Sequence, residues 1–132
     1  MTQSAAALVL RRVPPGRVEL ARALAPDAPD VPDDIGSTWW ELVDVAAPPG
    51  RTAAGVALTS TDAGGVTRVL ALAAVGTPDC DPVPRLLLEL VAALRCTAAT
   101  AVEVRCSRPD VLAQLRAEDA EQVGGDLVVV RF

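Results

Sequence analysis

The stretch V-T-R-V-L-A-L-A-A-V, Val66–Val75, decides the fold. After Arg68 it is an unbroken apolar run. A strand of this kind is covered on both faces and sits in the middle of its sheet. A helix is expected next, over Pro82–Arg95. Leu86, Leu87, Leu90, Val91 and Leu94 fall on one stripe at helical spacing, with Arg85, Glu89 and Arg95 towards the other side. Asp81 is the expected N-cap. Pro82 and Pro84 suit a first turn, where backbone donors have no intrahelical partner. Thr100–Cys106 then alternates, with Val102, Val104 and Cys106 against Glu103 and Arg105. Strand, helix, strand in that order implies a right-handed crossover between parallel strands.

Upstream, Ala54–Thr61 alternates, and Asp62-Ala63-Gly64-Gly65 is a hairpin turn in which glycine supplies positive φ. Pro48-Pro49-Gly50 turns the chain out of an earlier strand, Thr38–Val45. Before it lie an irregular Pro- and Asp-rich connection at 25–37, a short helix over Gly16–Leu24 and a β-like run over Ala6–Val13. Downstream, Ser107-Arg108-Pro109-Asp110 resembles a capping box. It opens a helix to about Ala120, with Val111, Leu112 and Leu115 inward. Gly124-Gly125 is expected to stop it, and Asp126–Phe132 is a last strand. The order β-α-β-β-β-α-β-α-β predicts a single α/β (α+β) domain over 1–132, with a mixed central sheet of about six strands and helices packed on it.

Composition narrows the chemistry. The 132 residues contain no histidine, lysine, tyrosine or asparagine, and only Trp39, Trp40 and Phe132 are aromatic. The absent types share AT-rich codons, which points to a high-GC bacterial genome. Their absence also removes most general acid/base and Schiff-base chemistry. A net charge of −5 without a basic stripe argues against nucleic acid. No apolar run spans a membrane, and Ala5–Leu10 has its arginines behind it rather than in front, unlike a signal peptide. A cytoplasmic location is the expectation. Cys80, Cys96 and Cys106 have no metal-ligand spacing, so no metal is expected.

The long apolar strand R-V-L-A-L-A-A-V (Arg68–Val75), the helix V-P-R-L-L-L-E-L-V-A-A-L (Val83–Leu94) and the join V-E-V-R-C-S-R-P-D-V-L-A (Val102–Ala113), in this element order, resemble the GCN5-related N-acetyltransferases (GNAT). The likeness covers roughly Trp39–Phe132. It implies a GNAT-like fold, acetyl-CoA as acyl donor and a phosphate-binding loop before the Pro82 helix. Family members hold the pyrophosphate there with a pattern of the type Arg/Gln-x-x-Gly-x-Gly/Ala. In that register this chain has Asp79 at the basic position and Pro82 and Pro84 at the glycines. Proline has no N–H to donate, and Asp79 and Asp81 would repel a pyrophosphate. The family's usual general-acid tyrosine has no counterpart; Arg116 and Ala117 occupy that neighbourhood.

Two readings follow. The first is a non-catalytic accessory protein without a cofactor, acting through a protein partner or a homodimer, with Trp39 or Trp40 as an interface anchor. The alternative is an acetyl-CoA-dependent N-acyltransferase with an atypical loop. If CoA binds, the resemblance implies contacts from Leu72, Ala74, Val75, Pro82, Val83, Pro84 and Arg85. The catalytic candidates are Glu41, as a base acting through water, and Cys80, at a helix start that favours a thiolate. Glu41, Asp44 and Glu103 lie on strands and are expected on a solvated side or rim. The Asp27–Asp34 cluster reads as a solvated loop or a docking site for a basic partner, and Arg85 as a helix-surface residue paired with Glu89 or as a contact for an anion at the helix start.

Overall fold

The hairpin turn is built as its residues dictate. Asp62 Oδ1 accepts from the amides of Gly64 at 2.8 Å and Val66 at 3.1 Å, and Gly65 takes φ +85°. Around it, a computed structural model describes residues 8–29, 36–44, 54–74, 82–106 and 108–132. In chain order these form β1 (Leu8–Arg12), a 3-10 turn (Pro15–Arg17), α1 (Val18–Leu24), β2 (Ser37–Asp44), β3 (Gly55–Thr61), β4 (Val66–Ala74), α2 (Val83–Arg95), β5 (Ala101–Arg105), α3 (Pro109–Ala117), β6 (Glu121–Gly124) and β7 (Leu127–Arg131). They make one mixed sheet in the order β1-β2-β3-β4-β5-β7-β6. β4 occupies the middle, as its apolar run implies, and pairs in parallel with β5 across the α2 crossover.

The sheet separates two apolar layers. On one face Leu87, Leu90, Val91 and Leu94 of α2 pack with Val111 and Leu115 of α3 over Trp40, Ala57, Val102, Val104, Val128 and Val130. On the other, Ala21 and Ala25 at the end of α1 cover Val13 and Val56. β4 serves both faces, with Val69 and Leu72 on the first and Ala71 and Ala73 on the second. Burial of the polar β3 and β4 positions is compensated by hydrogen bonds. Thr59 Oγ1 accepts from Trp40 Nε1 at 3.0 Å, and the Thr61 and Thr67 hydroxyls bond at 2.8 Å.

Three expectations need correction. The sheet has seven strands, not about six, because Glu121–Gly124 pairs with β7. Gly124-Gly125 therefore turns a hairpin and stops no helix. α3 ends earlier, at Ala117, in a Schellman arrangement: Asp119 lies at φ +62°, its amide donates to the Arg116 carbonyl at 3.1 Å, and the Ala120 amide donates to the Leu115 carbonyl at 3.1 Å. Capping differs as well. α2 is capped by Pro82 and α3 by Arg108, neither with a side-chain cap bond; Asp110 is instead gripped by Arg108 at 2.7 and 3.3 Å.

Candidate functional site

A break in the regularity of the sheet lies halfway along β4. Leu58 faces Ala71 and Thr59 faces Val69, so Leu70 is an extra residue without a register partner on β3. Such a bulge bends its strand and increases the local twist. On its other side β4 pairs with β5 only through Val66↔Ala101, Thr67↔Val102 and Arg68↔Glu103. Side chains reinforce this closed end, where Arg68 meets Asp62 at 3.2 Å and Glu103 at 3.5 Å. β5 runs two residues further and β4 six. Among the described residues no strand pairs with the β5-facing edge of β4 from Val69 to Ala74. A parallel pair that opens in this way leaves a row of main-chain donors and acceptors along one wall of a cleft.

The start of α2 sits at the open end. A Cβ built on Gly55 would lie 3.1 Å from Leu86 Cδ2 and 3.2 Å from the Ala73 carbonyl oxygen, so the first turn of α2 crosses close to the end of β4. Arg85, half exposed, pairs with Glu89 at 2.8 Å as its spacing implies, and its Nη2 reaches the Leu8 carbonyl at 3.5 Å. Pro82 and Pro84 supply no N–H to this turn. On the α1 face, a groove of about 340 Å³ runs along the bulged half of β4, between residues 24–28 and residues 70–73. Its one ionisable lining group among the described residues is Asp27. A separate cavity of about 470 Å³ lies at the hairpin end, beside Trp40 and the end of α2. The hydroxyls of Thr59, Thr61 and Thr97 in its wall are already bonded within the protein.

The proposed site residues divide accordingly. Leu72 and Ala74 lie on the open stretch of β4, and Pro82, Val83, Pro84 and Arg85 at the start of α2. Val75 and Cys80, with Asp79 and Asp81, lie outside the described residues. Trp39 and Trp40 point to opposite faces as adjacent strand residues must. Trp40 is core, with Arg12 stacked 5.6 Å from its ring centroid, and Trp39 is half-buried against the α1 layer.

Glu41 departs from its expected solvated setting. Its side chain is 3% exposed, and its carboxylate accepts from Arg11 Nε at 2.7 Å, Arg17 Nη2 at 3.2 Å and Arg17 Nε at 3.3 Å. Both oxygens are occupied by cations that join β1 and the 3-10 turn to β2. These bonds give Glu41 a structural role. Among the described cysteines Cys96 is exposed and Cys106 buried, both free, and no described cluster suits a metal. No described helix is long and apolar enough to cross a membrane.

No protein-family model and no curated protein matches the sequence. Solved structures match well. An IAA acetyltransferase from Bacillus cereus superposes with TM-score 0.60 at 13% identity, over 96% of this chain and all (100%) of its own. An acetyltransferase from Bacillus subtilis, in complex with CoA, gives 0.61 at 11%, over 95% and 99%. The ribosomal-protein-S18-alanine N-acetyltransferase from Escherichia coli gives 0.61 at 14%, over 93% and 90%. The chain has a GNAT-like fold, in line with the element order read from the sequence. The expectation of no cofactor is overturned, because a neighbour aligned over almost its whole length carries CoA. The accessory, non-catalytic reading likewise finds no support among these acetyltransferases.

Proposed function

We propose that the chain is an acyltransferase that takes an acyl group from acetyl-CoA and delivers it to an amine. The observation that carries the reading is the β5-facing edge of β4, unpaired from Val69 to Ala74 among the described residues. An amide-bearing arm lying along it completes the ladder as an added strand would, with main-chain groups rather than side chains making the bonds. The bulge at Leu70 turns the strand at this point and removes that residue from the β3 register, so its backbone is available to a polarised carbonyl.

The phosphate end relies on other means than glycine amides. The positive end of the thirteen-residue α2 helix and the half-exposed Arg85 guanidinium are the favourable charges there. Bound, acetyl-CoA would supply an activated thioester; the chain has no tyrosine, so the departing thiolate would take its proton from solvent. On the α1 side, the groove beside residues 70–73 admits a second molecule to the same stretch of β4.

Thermal unfolding with acetyl-CoA tests this. Saturation at about 100 times Kd stabilises by about 2.7 kcal/mol. For 132 residues that raises Tm by roughly 10 °C. No saturable shift up to about 1 mM, weaker than about −4 kcal/mol of binding, would refute the reading.

A further inference from the structure

The cavity at the hairpin end takes its wall from the β3–β4 turn and the end of α2. That is the far end of both elements from the open stretch of β4 and the start of α2. We propose that this cavity binds a small monocarboxylate, an apolar body bearing one negative charge, and that Arg12 receives the carboxylate.

Three observations combine. The first is an uncommitted cation. Every other arginine on the sheet, Arg11, Arg68, Arg105 and Arg131, faces a carboxylate. Arg12 faces none among the described residues. Its guanidinium lies over the Trp40 ring, 5.6 Å from the centroid. A ring contact of this kind uses the face of the guanidinium and leaves its N–H fork free for a planar, two-oxygen acceptor.

The second is that the remaining ionisable group in the wall is already matched. Asp62 accepts from the Gly64 and Val66 amides on one oxygen and from Arg68 on the other. Several main-chain acceptors are likewise used. The carbonyls of Gly36, Gly64 and Gly65 take the Thr61 amide, the Thr100 hydroxyl and the Thr100 amide. With the hydroxyls of Thr59, Thr61 and Thr97 bonded too, what the side chains leave on offer is one positive charge.

The third is size and surface. About 470 Å³ is the volume of a small-molecule site, and the rest of the wall includes Trp40, Leu94, Ala63, Ala98 and Ala99. One guanidinium beside apolar walls suits one carboxylate on an apolar body; a dianion would carry a charge with no partner. Arg12 also borders a cavity of about 480 Å³ on the α1 face. There Glu19, with no arginine partner among the described residues, opposes an anion. None of this depends on the acyltransferase reading.

Hydrocinnamate and its uncharged amide, alike in size and shape, provide the test. Each is titrated into the protein and followed by backbone amide chemical shifts. Hydrocinnamate is expected to move the resonances of Arg12 and of residues 63–65 and 97–99, and the amide to bind about tenfold more weakly. Arg12→Gln should weaken hydrocinnamate by a similar factor, and Arg12→Lys should restore part of the loss. Ala98→Phe, at an exposed wall position, should block the cavity with Tm unchanged. Acetyl-CoA affinity should stay the same in all three variants.

No saturable shift up to about 10 mM overturns the proposal. So does equal binding of acid and amide, an unmoved affinity in Arg12→Gln, inorganic phosphate binding as tightly as hydrocinnamate, or shifts centred on Val18 and Trp39. Binding through Arg12 in a protein that ignores acetyl-CoA supports the cavity and counts against the transferase alone.

Discussion

Replacing Glu41 by glutamine separates a structural carboxylate from a catalytic one. The wild-type group is almost fully buried and accepts three charge-assisted hydrogen bonds, from Arg11 Nε and from Arg17 Nε and Nη2. Glutamine keeps the shape but points an NH2 at one guanidinium and removes the charge from both. Breaking a fully buried pair costs about 3–5 kcal/mol. Here Arg11 and Arg17 are 51% and 27% exposed, so water recovers part of the loss. A value of about 2 kcal/mol follows.

Over 132 residues this lowers Tm by about 7 °C, measured by circular dichroism at neutral pH and low salt. An Arg17→Ala, Glu41→Gln double-mutant cycle should give a coupling of at least about 0.5 kcal/mol, because the groups touch. If the carboxylate is only an anchor, turnover measured well below Tm changes little. A Tm drop under about 2 °C with no coupling would refute the structural assignment. An unchanged Tm with lost turnover would return Glu41 to the chemistry.

Three other outcomes are expected. The Asp62 carboxyl titrates below its ordinary 3.8, first because the Val66 amide donates to it, then through Gly64 and Arg68. A lowered carboxyl adds stability above its unfolded pKa and loses it as pH falls through the folded one. The Tm difference between wild type and Asp62→Asn should therefore be full above about pH 4 and shrink on further acidification. Leu90→Ala, at a fully buried position of α2, should cost about 2–5 kcal/mol in urea denaturation. Arg85→Ala should raise the acetyl-CoA Kd about tenfold by calorimetry, with the acceptor KM unchanged.

Element order was legible because most of this chain alternates at period 2 or strides at helical spacing. Leu86, Leu87, Leu90, Val91 and Leu94 could be assigned to one face before any coordinates, and all are buried. What escaped has physical reasons. All four residues of β6 are exposed, so its sequence has no apolar face to alternate with a polar one. The helix stop at Asp119 is a non-glycine residue in a conformation for which glycine is the usual signal. Glu41 is buried only because arginines 30 and 24 residues away converge on it. The bulge at Leu70 lies in L-A-L-A-A, where each residue suits a plain strand equally well.

The expectation of no cofactor failed for a related reason. It weighed the side chains and prolines before α2 and took their poor match to a phosphate as decisive. The edge of β4 is built from peptide groups, which every residue but proline carries, and no proline interrupts Val66–Ala74. Opening the β4–β5 pair needs one extra residue at Leu70 and a clamp at the closed end, where Arg68 binds Asp62 and Glu103. Neither leaves a motif. Main-chain recognition of this kind tolerates nearly complete replacement of side chains, so the same fold is compatible with 11–14% identity to acetyltransferases. On the proposed reading, a chain without lysine, histidine or tyrosine is therefore at little disadvantage in holding its acyl donor. Its residue choices count on the other side of β4, where Asp27 and small apolar side chains line a groove.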